Sequence, residues 1–365
     1  MSINIQQALK KYYGYSTFKP GQEEIISSIL SGREVLGIMP TGGGKSVCYQ
    51  LPALLMPGLT LVISPLIALM KDQVDALNEL GITAACVNSG MEAGQIRSCL
   101  VEAHQGNYKL LYVAPERLAS ESFTNLLRNL PISLIAIDEA HCVSQWGHDF
   151  RPSYLDISPW IEQLPQRPVV AAFTATATLP VRADITKLLN LVNPDVYVTC
   201  FKRENLHLST IKGVDKNKFI TRYVESHSDQ SGIIYAATRK EVDALYELLK
   251  SKGIAAGRYH AGMDKDDRHR NQEDFLYDEI RVMAATNAFG LGIDKSNVRY
   301  VIHHNMPRHL EAYYQEAGRA GRDGEHADCI LLYAPGDVQI QKYLIENSEL
   351  SEDRKTGEYR KLQNM

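Results

Sequence analysis

Residues 35–50 read VLGIMPTGGGKSVCYQ, and this stretch decides the fold of the first half of the chain. Its apolar run, Val35–Met39, carries no charge, which is typical of a buried strand in a parallel sheet. The run breaks at Pro40, and a helix can follow over Val47–Leu55. The residues between form a loop: Thr41, Gly42, Gly43, Gly44, Lys45 and Ser46. A strand, a glycine-rich loop and a helix N-terminus together form an anion site, because their backbone N–H groups converge.

This loop is predicted to bind a nucleoside triphosphate. Its glycines let the backbone wrap a phosphate where side chains would block it. Lys45 can reach the β- and γ-phosphates, and the Ser46 hydroxyl can ligate Mg²⁺. The strict phosphate-loop pattern has a glycine where this chain has Met39, so a glycine-rich turn that binds nothing is the alternative. The Gly-Lys-Ser run after a strand favours the phosphate loop.

Composition bounds the class of protein. With 365 residues, 44% hydrophobic and 22% charged, the chain has room for two domains and is ordinary for a soluble globular protein. No run is long and apolar enough to span a membrane, and no leader opens the chain. A cytoplasmic protein is therefore expected, nucleoid-associated in a bacterium. The net charge of −4 leaves a nucleic-acid partner open, since a local groove can be basic on an acidic protein.

The six cysteines are scattered along the chain with no C-x-x-C pair. Neither a disulfide framework nor a metal knuckle is indicated by this spacing. The thiols are expected to be reduced core residues, and no zinc is expected in this chain.

Apolar runs alternate with helical patterns through the whole sequence. Strands are predicted at Val35–Met39, Thr60–Ser64, Ala84–Val87, Lys109–Val113, Leu134–Asp138, Val169–Thr174 and Val196–Cys200, and then at Leu208–Ile211, Gly232–Ala236, Ala256–His260, Arg281–Ala285, Tyr300–His303 and Cys329–Tyr333. Helices are predicted at Ile5–Tyr13, Gln22–Leu30, Leu66–Leu80, Arg117–Leu130, Asn217–Ser226, Lys240–Lys252 and Asp264–Leu276. This alternation predicts parallel sheets covered on both faces, with ligands at the carboxyl ends of the strands.

The fold class is therefore α/β, with two parallel-sheet domains and a nucleotide cleft between them. We predict the domains at residues 1–204 and 205–345, because only the first carries a phosphate loop and the alternation restarts near Asn205. Residues 346–365 are polar and charged, with no apolar stripe to bury. They are expected to form a tail.

A pair of carboxylates follows the buried strand Leu134–Asp138. Asp138 at the carboxyl end of this strand can hold Mg²⁺, and Glu139 beside it can orient and deprotonate an attacking water. A chance acidic pair is the alternative, and the upstream phosphate loop disfavours it. His141, taken alone, is more often structural.

An aromatic and an amide side chain precede the phosphate loop. Tyr15 can stack on a nucleotide base, and Gln22 at the start of a helix can read the base edge. An aromatic residue near a turn is more often part of the core, so these two residues alone are a weak signal.

Two arginines three residues apart, Arg319 and Arg322, each follow a glycine. Arginine suits a phosphoryl transition state because it is planar, always charged and rich in donors. An arginine arriving from the other domain would be worth about 10³–10⁵ in rate. A surface ion-pairing run is the alternative, although the glycines allow close approach. Upstream, Thr286 can bind a backbone phosphate, and Asp294 can lie near the nucleotide.

Taken together, the motifs resemble those of the superfamily 2 helicases and, within them, the RecQ family of DNA helicases, over about residues 5–340. The runs that carry the resemblance occur in the family's order: 18–22, 39–46, 64–73, 112–117, 138–141, 144–152, 173–178, 235–239, 259–262, 289–295 and 315–322. The loop that contains Trp146 is the most discriminating, because RNA-directed relatives with similar carboxylate motifs lack it.

The resemblance implies a role for each matching residue, in two RecA-like domains. Tyr15 and Gln22 would contact adenine, with Lys19 beside them. Lys19 stands where the family usually has arginine, and so lacks the planar group that stacks on adenine. Gln315 and Arg319 would approach the phosphates, and Arg322 would be the arginine finger. The remaining phosphate, metal and water roles are those given above to Lys45, Ser46, Asp138 and Glu139.

The same resemblance implies how DNA is held. An aromatic-rich loop couples DNA binding to hydrolysis through Trp146, His148, Phe150 and Arg151. Trp146 and Phe150 offer stacking faces for unpaired bases, each worth about 1–3 kcal/mol; core packing is the alternative. The phosphates of the single strand would be gripped by Ser64, Lys71, Arg117 and Thr286. Contacts of this kind carry no sequence code.

The function expected from this set is an ATP-dependent DNA helicase core that uses ATP and Mg²⁺, moves 3′ to 5′ on single-stranded DNA and opens tailed duplexes in recombination and repair. A monomer is expected, since no interface signal is visible. A DNA-stimulated ATPase that translocates without separating strands is the first alternative. The family commonly continues into zinc and winged-helix parts, and the resemblance implies that residues 346–365 are the start of the zinc subdomain. A catalytically silent nucleic-acid scaffold is disfavoured by the complete set of catalytic residue types.

Overall fold

Parallel strands with helices between them build each of two units, Met1–Phe201 and Lys202–Met365. The computed structural model describes residues 4–88, 90–147, 149–200, 202–290, 295–348 and 351–365.

The first unit holds seven strands and eight α-helices within its described residues. The strands are β1 Val35–Ile38, β2 Leu59–Ile63, β3 Ala84–Val87, β4 Leu110–Val113, β5 Ile132–Ile137, β6 Val169–Thr174 and β7 Asp195–Val198. The helices are α1 Ile5–Tyr13, α2 Gln22–Leu30, α3 Lys45–Leu55, α4 Ile67–Glu79, α5 Ala93–His104, α6 Glu121–Leu127, α7 Ile157–Ile161 and α8 Leu179–Leu188. Short 3₁₀ helices lie at Pro115–Ala119, Ala140–Val143 and Pro152–Asp156.

The strands of the first unit form one parallel sheet in the order β3-β4-β2-β5-β6-β1-β7. All four residues of β1 are buried, because successive side chains point to opposite faces and both faces are covered. Leu36 and Ile38 pack into one hydrophobic cluster, and Val35 packs into the other. This order puts the carboxyl ends of β5, β6 and β1 side by side at one edge of the sheet.

The second unit repeats the pattern with six parallel strands in the order β10-β11-β9-β12-β13-β8. The strands are β8 Leu206–Lys212, β9 Ser231–Tyr235, β10 Ala256–Tyr259, β11 Val282–Ala285, β12 Val298–His303 and β13 Ala327–Tyr333. The helices are α9 Lys216–Ser226, α10 Arg239–Ser251, α11 Lys265–Leu276, α12 Leu310–Ala317, α13 Gly336–Glu346 and α14 Glu352–Gln363. Ile233 and Ile234 enter separate clusters, so this sheet is also covered on both faces.

The predicted α/β class with two parallel-sheet domains is confirmed, and each predicted strand is present within about two residues of its expected ends. One predicted helix, Arg117–Leu130, is wrong in detail. A 3₁₀ helix ends at Ala119, Ser120 has an extended backbone (φ −90°, ψ 109°), and α6 then begins at Glu121. An extended residue cannot continue the helical hydrogen-bond pattern, so the segment is split.

The expected tail without apolar contacts is also wrong. Glu352–Gln363 is a helix, and its Leu362 is 7% exposed. Leu362 packs with Met306 and Ile345. Helix α14 is also tied to the second unit by Glu358, whose carboxylate lies 2.7 Å from the Arg308 guanidinium.

The helices are short throughout the described ranges. The longest, α4 and α10, have 13 residues each. None of the helices in those ranges is long and apolar enough to cross a membrane.

Candidate functional site

The loop after β1 has the backbone shape of an anion cradle. Gly42 and Gly44 take φ values of 78° and 77°, in the left-handed region that glycine tolerates. The Gly43 N–H donates to the Pro40 carbonyl at 2.9 Å and closes the turn. Helix α3 begins at Lys45, so its unbonded N–H groups open onto the loop. The predicted phosphate loop therefore has a matching local structure.

Gln22, the first residue of α2, and Lys19, which precedes that helix, brace this loop. The Gln22 side chain is 4% exposed; it accepts from the Lys19 N–H at 2.8 Å and donates to the Gly44 carbonyl at 3.0 Å. The Lys19 ammonium donates to the Gly42 carbonyl at 2.9 Å. The structure thus commits the Gln22 amide to holding the loop, a role that the sequence reasoning missed. Tyr15 is 59% exposed, and contact of these residues with adenine stays a prediction.

Asp138 lies at the same edge of the sheet, at the end of β5. Its carboxyl group is buried; burial and the neighbouring Glu139 carboxylate raise its pKa to about 6, while Lys45 opposes the shift. Lys45 Nζ donates to the Met39 carbonyl at 3.4 Å. Because β5 and β1 are separated only by β6 in the parallel sheet, Lys45 after β1 and Asp138 after β5 lie at the same edge.

The donor set fits Mg²⁺ only together with a nucleotide. Within the described residues, no group of three or more His, Cys, Asp or Glu side chains is placed to hold a metal ion. Asp138 and the half-buried Ser46 supply hard oxygen atoms, and Mg²⁺ is usually held by one or two protein oxygens, phosphate oxygens and water. A cation there would also offset the cost of the buried Asp138 carboxylate.

Glu139 sits in a strained turn that three other residues support. Its backbone has φ 48°, which is uncommon outside glycine and costs of order 1–3 kcal/mol. The buried Tyr154 hydroxyl donates to the Asp138 carbonyl at 2.8 Å. His141 Nδ1 lies 3.2 Å from Glu139 Oε2 and 2.8 Å from Thr174 Oγ1. His141 therefore links the predicted general base to the end of β6.

His141, Tyr154 and Thr174 received no catalytic role from the sequence. Thr174 lies in the run 173–178 that carries the resemblance, which was the available signal. Nothing in the sequence pairs Tyr154 with a carbonyl 16 residues earlier.

The aromatic-rich loop, residues 144–152, follows the Ala140–Val143 turn. Trp146 is 58% exposed, and Phe150 is half-buried. Arg151 Nη1 donates to the Pro65 carbonyl at 2.9 Å, and its Nη2 lies 3.0 Å from Asp149 Oδ2. Arg151 therefore ties this loop to the segment that follows β2, and Trp146 presents its ring to solvent. His148 lies outside the described residues.

Close packing in this loop requires Gly147. A Cβ atom at this position would lie 2.4 Å from the His141 carbonyl oxygen and 3.0 Å from that of Ser144. Ordinary contacts are near 3.5 Å, so a larger residue would displace the backbone by about 1 Å.

The predicted phosphate-gripping residues of the first unit differ in their surroundings. Ser64, after β2, is 2% exposed, and its Oγ has no hydrogen-bond partner among the described residues. Lys71 is exposed on α4. Arg117 Nε donates to the Asn88 carbonyl at 3.1 Å, so part of its guanidinium already binds the protein backbone.

In the second unit, the predicted arginines follow α12. Gln315 is half-buried on that helix, and Arg319 is 7% exposed. Arg322 is half-buried and follows Gly321, whose φ is 56°. These residues lie on one short stretch of a well-packed unit.

Thr286 follows β11 and is 8% exposed. Its Oγ1 accepts from the Ala288 N–H at 3.4 Å, a weak bond that supports the turn. Asp294, the other residue predicted in this stretch, lies outside the described residues.

Comparison with known families matches residues 19–185 to the DEAD/DEAH box helicase family and residues 215–324 to the helicase conserved C-terminal domain. The chain is 51% identical over 361 residues to the ATP-dependent DNA helicase RecQ of Bacillus subtilis, covering 99% of this chain and 61% of that relative. It is 42% identical over 345 residues to the probable ATP-dependent DNA helicase RecS of the same organism, covering 94% of this chain and 69% of the relative.

The fold has solved counterparts. Dbp5 of S. cerevisiae, in a structure bound to RNA and ADP BeF3, matches with a TM-score of 0.72 at 20% identity, covering 98% of this chain and 97% of that one. Identity this low shows a shared fold alone. The chain spans less than two thirds of the length of the RecQ relative.

Proposed function

This chain belongs to the RecQ family of superfamily 2 helicases, and on that premise we propose that it is the core of an ATP-dependent DNA helicase. The observation that carries the proposal is the arrangement at one edge of the first sheet. The glycine-rich loop with Lys45 follows β1, and the buried Asp138 carboxylate follows β5, with its neighbour Glu139 held in a strained turn. Those are the parts that nucleoside triphosphate hydrolysis needs.

We propose the following division of labour in hydrolysis. The N–H groups of residues 41–44 and the start of α3 bind the phosphates, and Lys45 neutralises charge on them. Ser46 and Asp138 would supply the protein oxygens for Mg²⁺, which when bound would offset the negative charge of the phosphates. Glu139 orients the attacking water and accepts its proton.

Gln315, Arg319 and Arg322 are proposed to act on the same phosphates. Arg322 would stabilise the charge that develops on the transferred phosphoryl group. We propose that nucleotide binding also uses Tyr15, Lys19 and Asp294. Gln22 would serve the same purpose by bracing the loop.

We propose that DNA is held by stacking and by phosphate contacts. The exposed Trp146 ring and the half-buried Phe150 ring suit unpaired bases, because stacking on an aromatic face tolerates any base. Ser64, Lys71 and Thr286 would contact backbone phosphates. Arg117 would contribute those guanidinium N–H groups that do not already donate to the Asn88 carbonyl. His148 and Arg151, in the aromatic-rich loop, would help to couple DNA binding to hydrolysis.

The proposal is tested by ATP hydrolysis with and without single-stranded DNA, measured beside strand separation on duplexes tailed at either the 3′ or the 5′ end. We expect DNA to raise turnover by at least about 10-fold, on the scale of typical coupling between sites. We expect the 3′-tailed duplex alone to open. Stimulated hydrolysis with both duplexes closed would favour a translocating ATPase, and opening of the 5′-tailed duplex alone would contradict the proposed direction. Absence of stimulation would contradict the function itself.

A Gly147→Ala variant is expected to lose DNA-stimulated turnover by about 10- to 100-fold, because a backbone shift of about 1 Å moves the aromatic-rich loop. The measurement is ATP turnover across a titration of single-stranded DNA. Gly94→Ala is the matched control, since a Cβ at Gly94 on α5 meets nothing within 4 Å. Equal DNA responses in the two variants would show that the loop backbone does not matter for coupling.

A further inference from the structure

A buried hydroxyl joins the aromatic-rich loop to helix α8. Ser144 is fully buried; its Oγ lies 2.6 Å from Asp184 Oδ2, to which it donates. The same Oγ accepts from the Trp146 N–H at 3.2 Å. Two consecutive hydrogen bonds therefore connect the Asp184 carboxylate, through the Ser144 hydroxyl, to the backbone of Trp146. A hydroxyl bonded to a carboxylate at this distance makes a strong, charge-assisted bond.

The direction of these bonds makes the carboxylate matter. A serine hydroxyl has one hydrogen to donate. Because Asp184 takes that hydrogen, the lone pairs of Ser144 are left facing the Trp146 N–H. Without the carboxylate, the hydroxyl can rotate, and the Trp146 backbone loses a fixed acceptor.

The position of Asp184 also links this contact to the Ala140–Val143 turn, which follows Glu139. Helix α8 follows the run 173–178, and its Val181 and Ile185 share a hydrophobic cluster with Val143. The Ala140–Val143 turn holds His141, which lies within 3.2 Å of the Glu139 carboxylate. Asp184 therefore fixes the Trp146 end of the stretch 139–146. The other end of this stretch holds Glu139, the predicted general base.

We propose that Asp184 is a positioning residue that, through Ser144, holds Trp146 where a stacked DNA base can stimulate hydrolysis. This inference rests on the proposed function. Asp184 touches neither nucleotide nor DNA in this scheme, and acts through the loop backbone.

The first test is ATP turnover titrated with single-stranded DNA. Asp184→Ala is expected to lower DNA-stimulated turnover, or to raise the half-saturating DNA concentration, by about 3- to 30-fold, with basal turnover and the KM for ATP unchanged. Asp184→Asn keeps an acceptor without the charge and should fall between Asp184→Ala and the parent protein. Ser144→Ala should match Asp184→Ala, and the double variant should be no worse than either, because both break one chain of bonds.

The second test needs no DNA. The chain has two tryptophans, Trp146 and Trp160, and Trp160 is only 3% exposed. Quenching of tryptophan fluorescence by acrylamide therefore reports mainly on Trp146, whereas the steady-state anisotropy contains the emission of both tryptophans and is read against a variant that lacks Trp146. Asp184→Ala is expected to lower the anisotropy and increase quenching, and a Trp146→Phe variant gives the background signal.

A matched pair elsewhere in the first unit controls for a simple loss of stability. Ser28 is also fully buried and donates to Asp195 Oδ2 at 2.8 Å. Asp195 is the first residue of β7, at the amino end of that strand. Ser28→Ala and Asp195→Ala should leave the DNA response and Trp146 fluorescence unchanged. An Asp195→Ala variant with the same loss of DNA response as Asp184→Ala would overturn the proposal.

The outcomes separate this inference from the proposed function. If the parent protein is not stimulated by single-stranded DNA, the proposed function fails, and the fluorescence measurement still decides whether Asp184 holds Trp146. If the parent is stimulated and Asp184→Ala has the parent's DNA response or Trp146 anisotropy, the positioning role is wrong.

Discussion

An Arg322→Ala variant is expected to bind ATP normally and to lose ATP turnover by about 10³- to 10⁵-fold. The reason is that a guanidinium placed at the transferred phosphoryl group stabilises charge that develops only in the transition state. Binding of the ground-state nucleotide should therefore change little. Turnover with saturating single-stranded DNA, measured beside fluorescent-nucleotide binding, checks both halves of the prediction.

The turn that carries Arg322 should survive the substitution. The Gly321 carbonyl accepts from Asn205 Nδ2 at 2.8 Å, and Arg299 Nη2 donates to Asp323 Oδ1 at 2.7 Å. These bonds hold the backbone on both sides of Arg322 without its side chain. A loss of activity in Arg322→Ala therefore points to chemistry rather than to misfolding.

Two companion variants sharpen this test. Arg322→Lys keeps the charge but loses the planar fork, so most of the activity should still be lost. Arg222→Ala removes an exposed arginine of α9 and should behave as the parent protein. Turnover within a few-fold of the parent in Arg322→Ala would remove Arg322 from the catalytic set.

A Lys45→Ala variant is expected to lose at least about 10²- to 10³-fold in turnover while the protein stays folded. Lys45 is the group proposed to neutralise phosphate charge, and its ammonium also opposes the rise of the Asp138 pKa. Among the described residues, the Lys45 ammonium makes one hydrogen bond, a long one of 3.4 Å to the Met39 carbonyl, so the loop loses little support. The measurement is ATP turnover, with circular dichroism and thermal unfolding to show the intact fold.

Lys10→Ala is the control for Lys45→Ala, because Lys10 is an exposed lysine in the last turn of α1, within the same unit. It should retain full turnover. Full activity in Lys45→Ala would contradict the assignment of the phosphate site, whatever the behaviour of the other variants.

The inner strands could be predicted from the sequence because a strand buried on both faces must be apolar along its whole length. Val35–Ile38 shows this directly, with four buried residues and no charge. The glycine-rich loop could be predicted because left-handed backbone at positions 42 and 44 strongly favours glycine. Both signals are local: neighbouring residues carry all the information.

Helix α14 gave no comparable signal, because it is polar and charged and carries little apolar surface. Its Leu362 is buried only because Met306 and Ile345 lie beside it. A pattern within residues 352–363 cannot reveal neighbours that come from elsewhere in the chain.

The sequence by itself determined the two α/β domains, the glycine-rich loop and the carboxylate pair, since each depends on residues adjacent along the chain. Only the tertiary structure decided that Gln22 braces Gly44, that His141 joins Glu139 to Thr174, and that Asp184 reaches Ser144. Each of those contacts joins different elements, and its existence depends on how the elements pack around the sheet. Polar side chains of this kind have several possible partners, and the fold selects one by burying the group where a single acceptor or donor is within reach.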